Sequence, residues 1–188
     1  MTAEEVFQRL TTALEQVGIA YMLSGSFASA FYGATRSTQD IDLVIEATPA
    51  KLEALRQALP HDEYYLDVAA LLEAHKQQSL FNVIDLKSGW KIDLIFRKAR
   101  AFSLEEFRRR RVVELHGVRL FIASAEDVIL SKLEWSKLSQ SQRQLEDVVA
   151  ILRSRWDSLD RAYLKKWTLG LQLGTEWKSA VERAGLSE

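Results

Sequence analysis

The stretch GSFASAFYGATRSTQDIDLVI, Gly25 to Ile45, decides how this sequence reads. Its second half, Gln39 to Ile45, has the apolar alternation of a strand, interrupted by Asp40 and Asp42. Successive strand residues point to opposite faces, so the two acids share one face and Ile41 and Leu43 share the other. Asp is poor in strands, and two neighbouring carboxylates repel each other and resist burial. A divalent cation compensates such a pair, and its ligands are hard oxygens. The pattern recurs in Lys91-Ile92-Asp93-Leu94-Ile95. If the two strands pair, Asp40, Asp42 and Asp93 converge on one metal site, for Mg²⁺ or Mn²⁺. The plain alternative is three solvent-facing acids on a half-exposed sheet.

The first half of the stretch opens on Ser24-Gly25-Ser26, between a short strand (Ile19 to Leu23) and a small-residue helix (about Phe27 to Tyr32). Glycine lets a phosphate approach the backbone, and a helix start offers free N–H groups to an anion. A Gly-Ser turn alone is more often a plain cap. With Asp-Ile-Asp following, the phosphate-binding reading of Gly25 and Ser26 is much stronger. Arg36 and Thr38 suit either a phosphate or the turn that leads into the acidic strand.

Working outward, Thr2 to Val17 has a capping-box start and apolar residues at helical spacing. Pro49 opens a helix in the favoured first-turn position. A helix spans Leu66 to His75. Leu80 to Leu86 and Trp90 to Phe96 flank Ser88-Gly89 as a hairpin, and Val112 to Leu115 and Val118 to Ile122 flank His116-Gly117 as another. Ser103 to Arg110 is helical. From Ser124 on the chain reads as helix, with breaks near Ser139 and Ser154 to Ser158. The expected domains are therefore an α/β core, 1–123, and a helical region packed on it, 124–188.

Composition excludes several classes. The 188 residues carry 25 Lys+Arg against 26 Asp+Glu, so bulk charge does not draw this chain to nucleic acid. Cysteine is absent, which removes disulfides, thiolate nucleophiles and zinc–sulfur sites. No apolar run reaches the ~20 residues of a membrane span, and the acidic start Met1 to Glu5 is no signal peptide. A cytoplasmic protein without membrane contact is expected. Arg108 to Arg111 is the densest basic run, a solvated surface or a landing site for a polynucleotide. The five tryptophans read as core or interface.

Later helices add two candidates. With Ser124 as N-cap and Asp127 as its capping-box partner, Ala125, Val128, Ile129 and Leu133 form the inward face. Lys132 falls inside that apolar arc. An inward lysine needs an anionic partner or a wet cleft, unless it snorkels to water. Asp147, beside Ile151 on its own helix, is placed to reach it, and a structural salt bridge is the plain reading.

Gly25-Ser26, then Asp40-x-Asp42, then Asp93 on a later strand, resembles the minimal nucleotidyltransferase (polymerase-beta-like) superfamily. Arg36-x-Thr38-x-Asp40-Ile41-Asp42-Leu43 is similar to the AbiEii-type toxin and related nucleotidyltransferase-like proteins. The likeness continues in Ser124-Ala125-Glu126-Asp127-Val128-Ile129-Leu130-Ser131-Lys132-Leu133 and in Arg143-x-x-Glu146-Asp147. It implies a mixed sheet flanked by helices, of α/β (α+β) class, with a C-terminal helical part. It implies Mg-dependent transfer of a nucleoside monophosphate from an NTP to an RNA (such as tRNA) or protein hydroxyl, within a toxin–antitoxin pair that includes an antitoxin partner. Asp40, Asp42, Asp93, Lys132 and Asp147 would be catalytic, and Gly25, Ser26, Arg36, Thr38 and Lys132 would bind the nucleotide. A catalytically silent binding or regulatory protein of the same fold is the alternative. Ala125 stands where many relatives carry proline, and the chain is shorter than the toxins.

Overall fold

The computed structural model describes residues 2–35 and 38–187. Arg36, one of the expected nucleotide-binding residues, lies outside them. The chain divides into two compact units: Met1–Ser24 with Thr38–Ile122, and Gly25–Ser37 with Ala123–Glu188.

The first unit holds a seven-stranded mixed sheet. Its strands are β1 (Ala20–Leu23), β2 (Asp40–Glu46), β3 (Tyr64–Tyr65), β4 (Leu80–Asp85), β5 (Lys91–Phe96), β6 (Arg111–Leu115) and β7 (Val118–Ile122), in the order β3-β4-β5-β2-β1-β7-β6. The pairs β2–β5 and β1–β7 are parallel, and the rest are antiparallel. Both expected hairpins form, β4–β5 and β6–β7. The two-residue β3 carries too little periodic signal to be read from sequence.

Period-two alternation gives the sheet one dry face. Ile41, Leu43 and Ile45 on β2 stand in register beside Ile92, Leu94 and Phe96 on β5, and all six are buried. Tyr21 and Leu23 extend that face on β1, and Leu120 and Ile122 on β7. Helix α1 (Ala3–Gln16) lies against β1 and β7 and buries Val6, Phe7, Leu10 and Leu14. Its Thr2–Glu5 capping box is present in both directions. The unit's other helices are α3 (Pro49–Ala58), α4 (Val68–Lys76) and α5 (Ala101–Arg108). One acid, Asp85, sits on the dry face, fully buried and paired with Arg9 of α1. It also accepts backbone N–H groups from Lys87 and Ser88 in the hairpin turn. Asp85 is thus a structural acid.

Tyr21 is 1% exposed and donates to Glu15 at 3.0 Å. Burial, with the Glu15 hydrogen bond behind it, raises its phenol pKa above the ordinary value of about 10. A folded-state pKa above the unfolded one means the native state holds the proton longer. The stability from neutral Tyr21 is whole below about pH 10 and is lost as pH rises from there toward the folded value. Urea titrations at pH 8 to 11 should show stability falling above pH 10. In Tyr21→Phe that fall should be shallower.

The second unit is helical: α2 (Gly25–Phe31), α6 (Ala125–Ser139), α7 (Gln142–Arg155), a 3₁₀ turn at Trp156–Ser158, α8 (Arg161–Gly170) and α9 (Gly174–Ala184). Helix α2 begins two residues earlier than the sequence suggests, because Gly25 at φ +59° turns the chain straight into it. Tyr32 fixes its far end by donating to the Ala123 carbonyl at 2.7 Å. At Gly33 (φ +121°) a Cβ would lie 2.6 Å from Ser154 Cβ, so only glycine allows α7 this close. Ser124 caps α6 as expected. Its hydroxyl donates to the Asp127 carboxylate at 2.6 Å, and Tyr163 donates to that carboxylate from α8 at 2.6 Å. The helical run contains one more break than expected, at Leu171–Leu173 between α8 and α9. Gln172 takes a positive φ there, with no proline or glycine at its own position to announce it.

Candidate functional site

The acids of the first unit lie on the face of the sheet opposite its dry core. On β2 the alternation runs exposed, buried, half-buried from Asp40 through Ile41 to Asp42. On the parallel neighbour β5, Asp42 stands directly opposite Asp93, and Asp40 opposite Lys91. Directly opposed residues share a face. The two strands do pair, and all three carboxylates are on one face.

What surrounds them is cationic and polar. Asn82 of β4 faces Asp93 from the other side and donates to its Oδ1 at 2.5 Å. Lys91 Nζ lies 3.2 Å from Asp93 Oδ2 and 3.9 Å from Asp40 Oδ1. Partial burial pulls the Lys91 pKa down, but the Asp93 hydrogen bond and the charges of Asp93, Asp40 and Asp42 outweigh it and leave it raised. Asp93 is 7% exposed, and these partners satisfy it in that position. Neither Lys91 nor Asn82 stood out in the sequence. Reading the strands against each other would have found them, since each sits in register with an acid.

Among the described residues, no group of three or more His, Asp or Glu side chains gathers closely enough to hold a metal ion as it stands. The donors nevertheless fit one. They are hard oxygens on two adjoining strands, Asp42 faces Asp93 in register, and the ammonium of Lys91 already occupies this face as a cation. Thr38, also of this unit, is half-buried, and its hydroxyl accepts the Asp40 N–H at 3.1 Å. That is the turn-capping role. The backbone of Ser24 donates to the Asp42 carbonyl at 2.9 Å and ties the end of β1 to the acidic strand.

The remaining candidates lie in the helical unit. Gly25 and Ser26 form the first turn of α2, with Ser26 buried. Lys132 on α6 is 4% exposed and Asp147 on α7 is 6% exposed. Their charged atoms meet at 2.7 Å, and Lys132 also donates to Gln144 at 2.8 Å, one turn before Asp147. Lys132 therefore does not snorkel. The arginine run divides among tasks: Arg108 pairs with Glu105 at 2.8 Å, and Arg110 stacks on Phe107 and Phe121.

No protein-family model matches the chain, and neither does the sequence of any curated protein. Several solved structures share its architecture. It is similar to ANT(2″)-Ia in complex with adenylyl-2″-tobramycin, with a TM-score of 0.61 over 92% of this chain and 98% of that one, at 11% identity. It is similar to the lincomycin-bound lincosamide antibiotic adenylyltransferase LnuA, with a TM-score of 0.55 over 80% and 96%, at 15% identity. A nucleotidyltransferase-like protein from Paracoccidioides brasiliensis gives 0.50 over 96% and 92%, at 16% identity. The chain has the nucleotidyltransferase fold. No helix among its described residues is long and apolar enough to cross a membrane.

Proposed function

We propose that this protein transfers a nucleoside monophosphate from an NTP to an acceptor hydroxyl. The observation that carries the reading is the register of Asp42 against Asp93, with Asp40 on the same face, in a chain of this fold. The acceptor oxygen forms a bond to the α-phosphorus, the bond from that phosphorus to the bridging oxygen breaks, and pyrophosphate leaves with the electron pair. Asp93 takes the proton of the attacking hydroxyl. Asp40, Asp42 and Asp93 would hold Mg²⁺ or Mn²⁺, which supplies charge stabilisation on the phosphoryl oxygens when bound. Lys91 offsets part of the negative charge of the acidic face and so limits the repulsion among its carboxylates.

Gly25 and Ser26 of the helical unit are assigned to the β- and γ-phosphates by resemblance, as a glycine turn opening a helix. Lys132 is assigned to the charge of the triphosphate and Asp147 to holding Lys132 in place. Arg36 remains a candidate phosphate ligand by resemblance alone. For the acceptor, the likeness to AbiEii-type toxins supports an RNA or protein hydroxyl and an antitoxin partner. The structural likeness to ANT(2″)-Ia bound to adenylyl-2″-tobramycin supports a small-molecule hydroxyl instead.

The test is incubation with each α-labelled NTP, Mg²⁺, and in turn tRNA, protein and aminoglycoside acceptors. Label moving to one acceptor supports the proposal and names the acceptor class. Saturable NTP binding without transfer to any acceptor supports the second reading, a silent binding protein. The Lys91 ammonium on the acidic face is what favours that reading, because it is a counter-ion that needs no metal.

A further inference from the structure

The helical unit contains a cavity of about 710 Å³, within the usual size of a small-molecule site. One stripe of α8 lines it, with Arg161, Lys165 and Thr168 on successive turns, and a stripe of α9 faces it with Trp177 and Lys178. Trp156 of the 3₁₀ turn completes the wall, stacked on Trp177 with ring centroids 6.3 Å apart and planes at 22°. The guanidinium of Arg161 lies over Trp156 at 4.1 Å. Lys178 is paired, loosely, with Glu182 at 3.9 Å. That leaves the cavity with three cations and one acid among its lining residues.

We propose that this cavity binds a small planar aromatic anion. The tryptophan wall takes the ring, and Arg161 and Lys165 take the negative charge. None of these residues belongs to the acidic face, so the site stands or falls apart from the transferase reading.

Isothermal titration of the full chain with 2-naphthoate, 2-naphthalenemethanol and cyclohexanecarboxylate tests it. Naphthoate should bind saturably and roughly tenfold or more tighter than either analogue, one of which lacks the charge and the other the ring. Arg161→Gln with Lys165→Gln should weaken naphthoate by about tenfold and leave the alcohol unchanged. Circular dichroism checks that the double variant is folded. No saturable binding of naphthoate up to about 1 mM overturns the proposal, as does equal binding of the three probes or indifference to the double variant.

Discussion

Asp42→Asn is expected to lower nucleoside monophosphate transfer on the order of 10³-fold and to leave the fold intact. The two halves of that expectation come from one observation. Asp42 faces Asp93 across a parallel pair of strands, with Asp40 two residues away on the same face. Like charges placed directly opposite each other destabilise a sheet. Removing one of them while keeping the shape and polarity relieves that repulsion. The loss of activity follows because a preorganised charge aimed at a transferring phosphoryl group is worth roughly 10²–10³-fold for a single donor. A carboxylate proposed also to hold the metal would contribute at the upper end. Steady-state transfer and urea denaturation on the same preparation check both halves. A large loss of stability with proportionate loss of activity would make Asp42 a structural residue. Asp93→Asn should behave differently, since Asp93 is buried and serves both Asn82 and Lys91. It should lose activity and some stability together.

The sheet was legible because its strands carry a strong binary pattern and its hairpins carry Gly-containing turns at Ser88-Gly89 and His116-Gly117. The acidic face was legible for a related reason. Asp40, Asp42 and Asp93 break the pattern of strands that are otherwise apolar, and a carboxylate in such a strand must be compensated. The compensators were not legible. Asn82 and Lys91 are ordinary strand residues until the register places them beside Asp93, and register is a property of pairs of strands. The grouping of the chain was also hidden. Gly25–Ser37 belongs with the C-terminal helices because Tyr32 reaches the Ala123 carbonyl and Gly33 admits Ser154. Those are contacts made about 90 and 120 residues along the chain. Asp85 shows the converse. It too stands on a strand, yet it points into the core, where Arg9 meets it.

Lys132→Met is expected to destabilise the protein by about 3–5 kcal/mol, while Lys132→Met with Asp147→Leu recovers most of that loss. Lys132 and Asp147 are both more than nine-tenths buried and meet at 2.7 Å between α6 and α7. Taking two charges out of water costs several kcal/mol for each, and their attraction only roughly offsets it. The single substitution leaves the Asp147 carboxylate buried without its ammonium, so the full desolvation penalty is exposed. The double substitution removes both penalties and fills the space with apolar side chains. Gln144, which accepts from Lys132, is only half-buried and can turn to water. Denaturation midpoints at constant slope read the stabilities. The same three proteins then decide what the pair does. If transfer returns along with stability in the double variant, the ion pair is scaffold that joins two helices. If stability returns and transfer stays low, the ammonium itself acts on the triphosphate. That second outcome would require the pair to open during the reaction. An ion pair left closed presents only a dipole, whose field falls off more steeply with distance than that of a free ammonium.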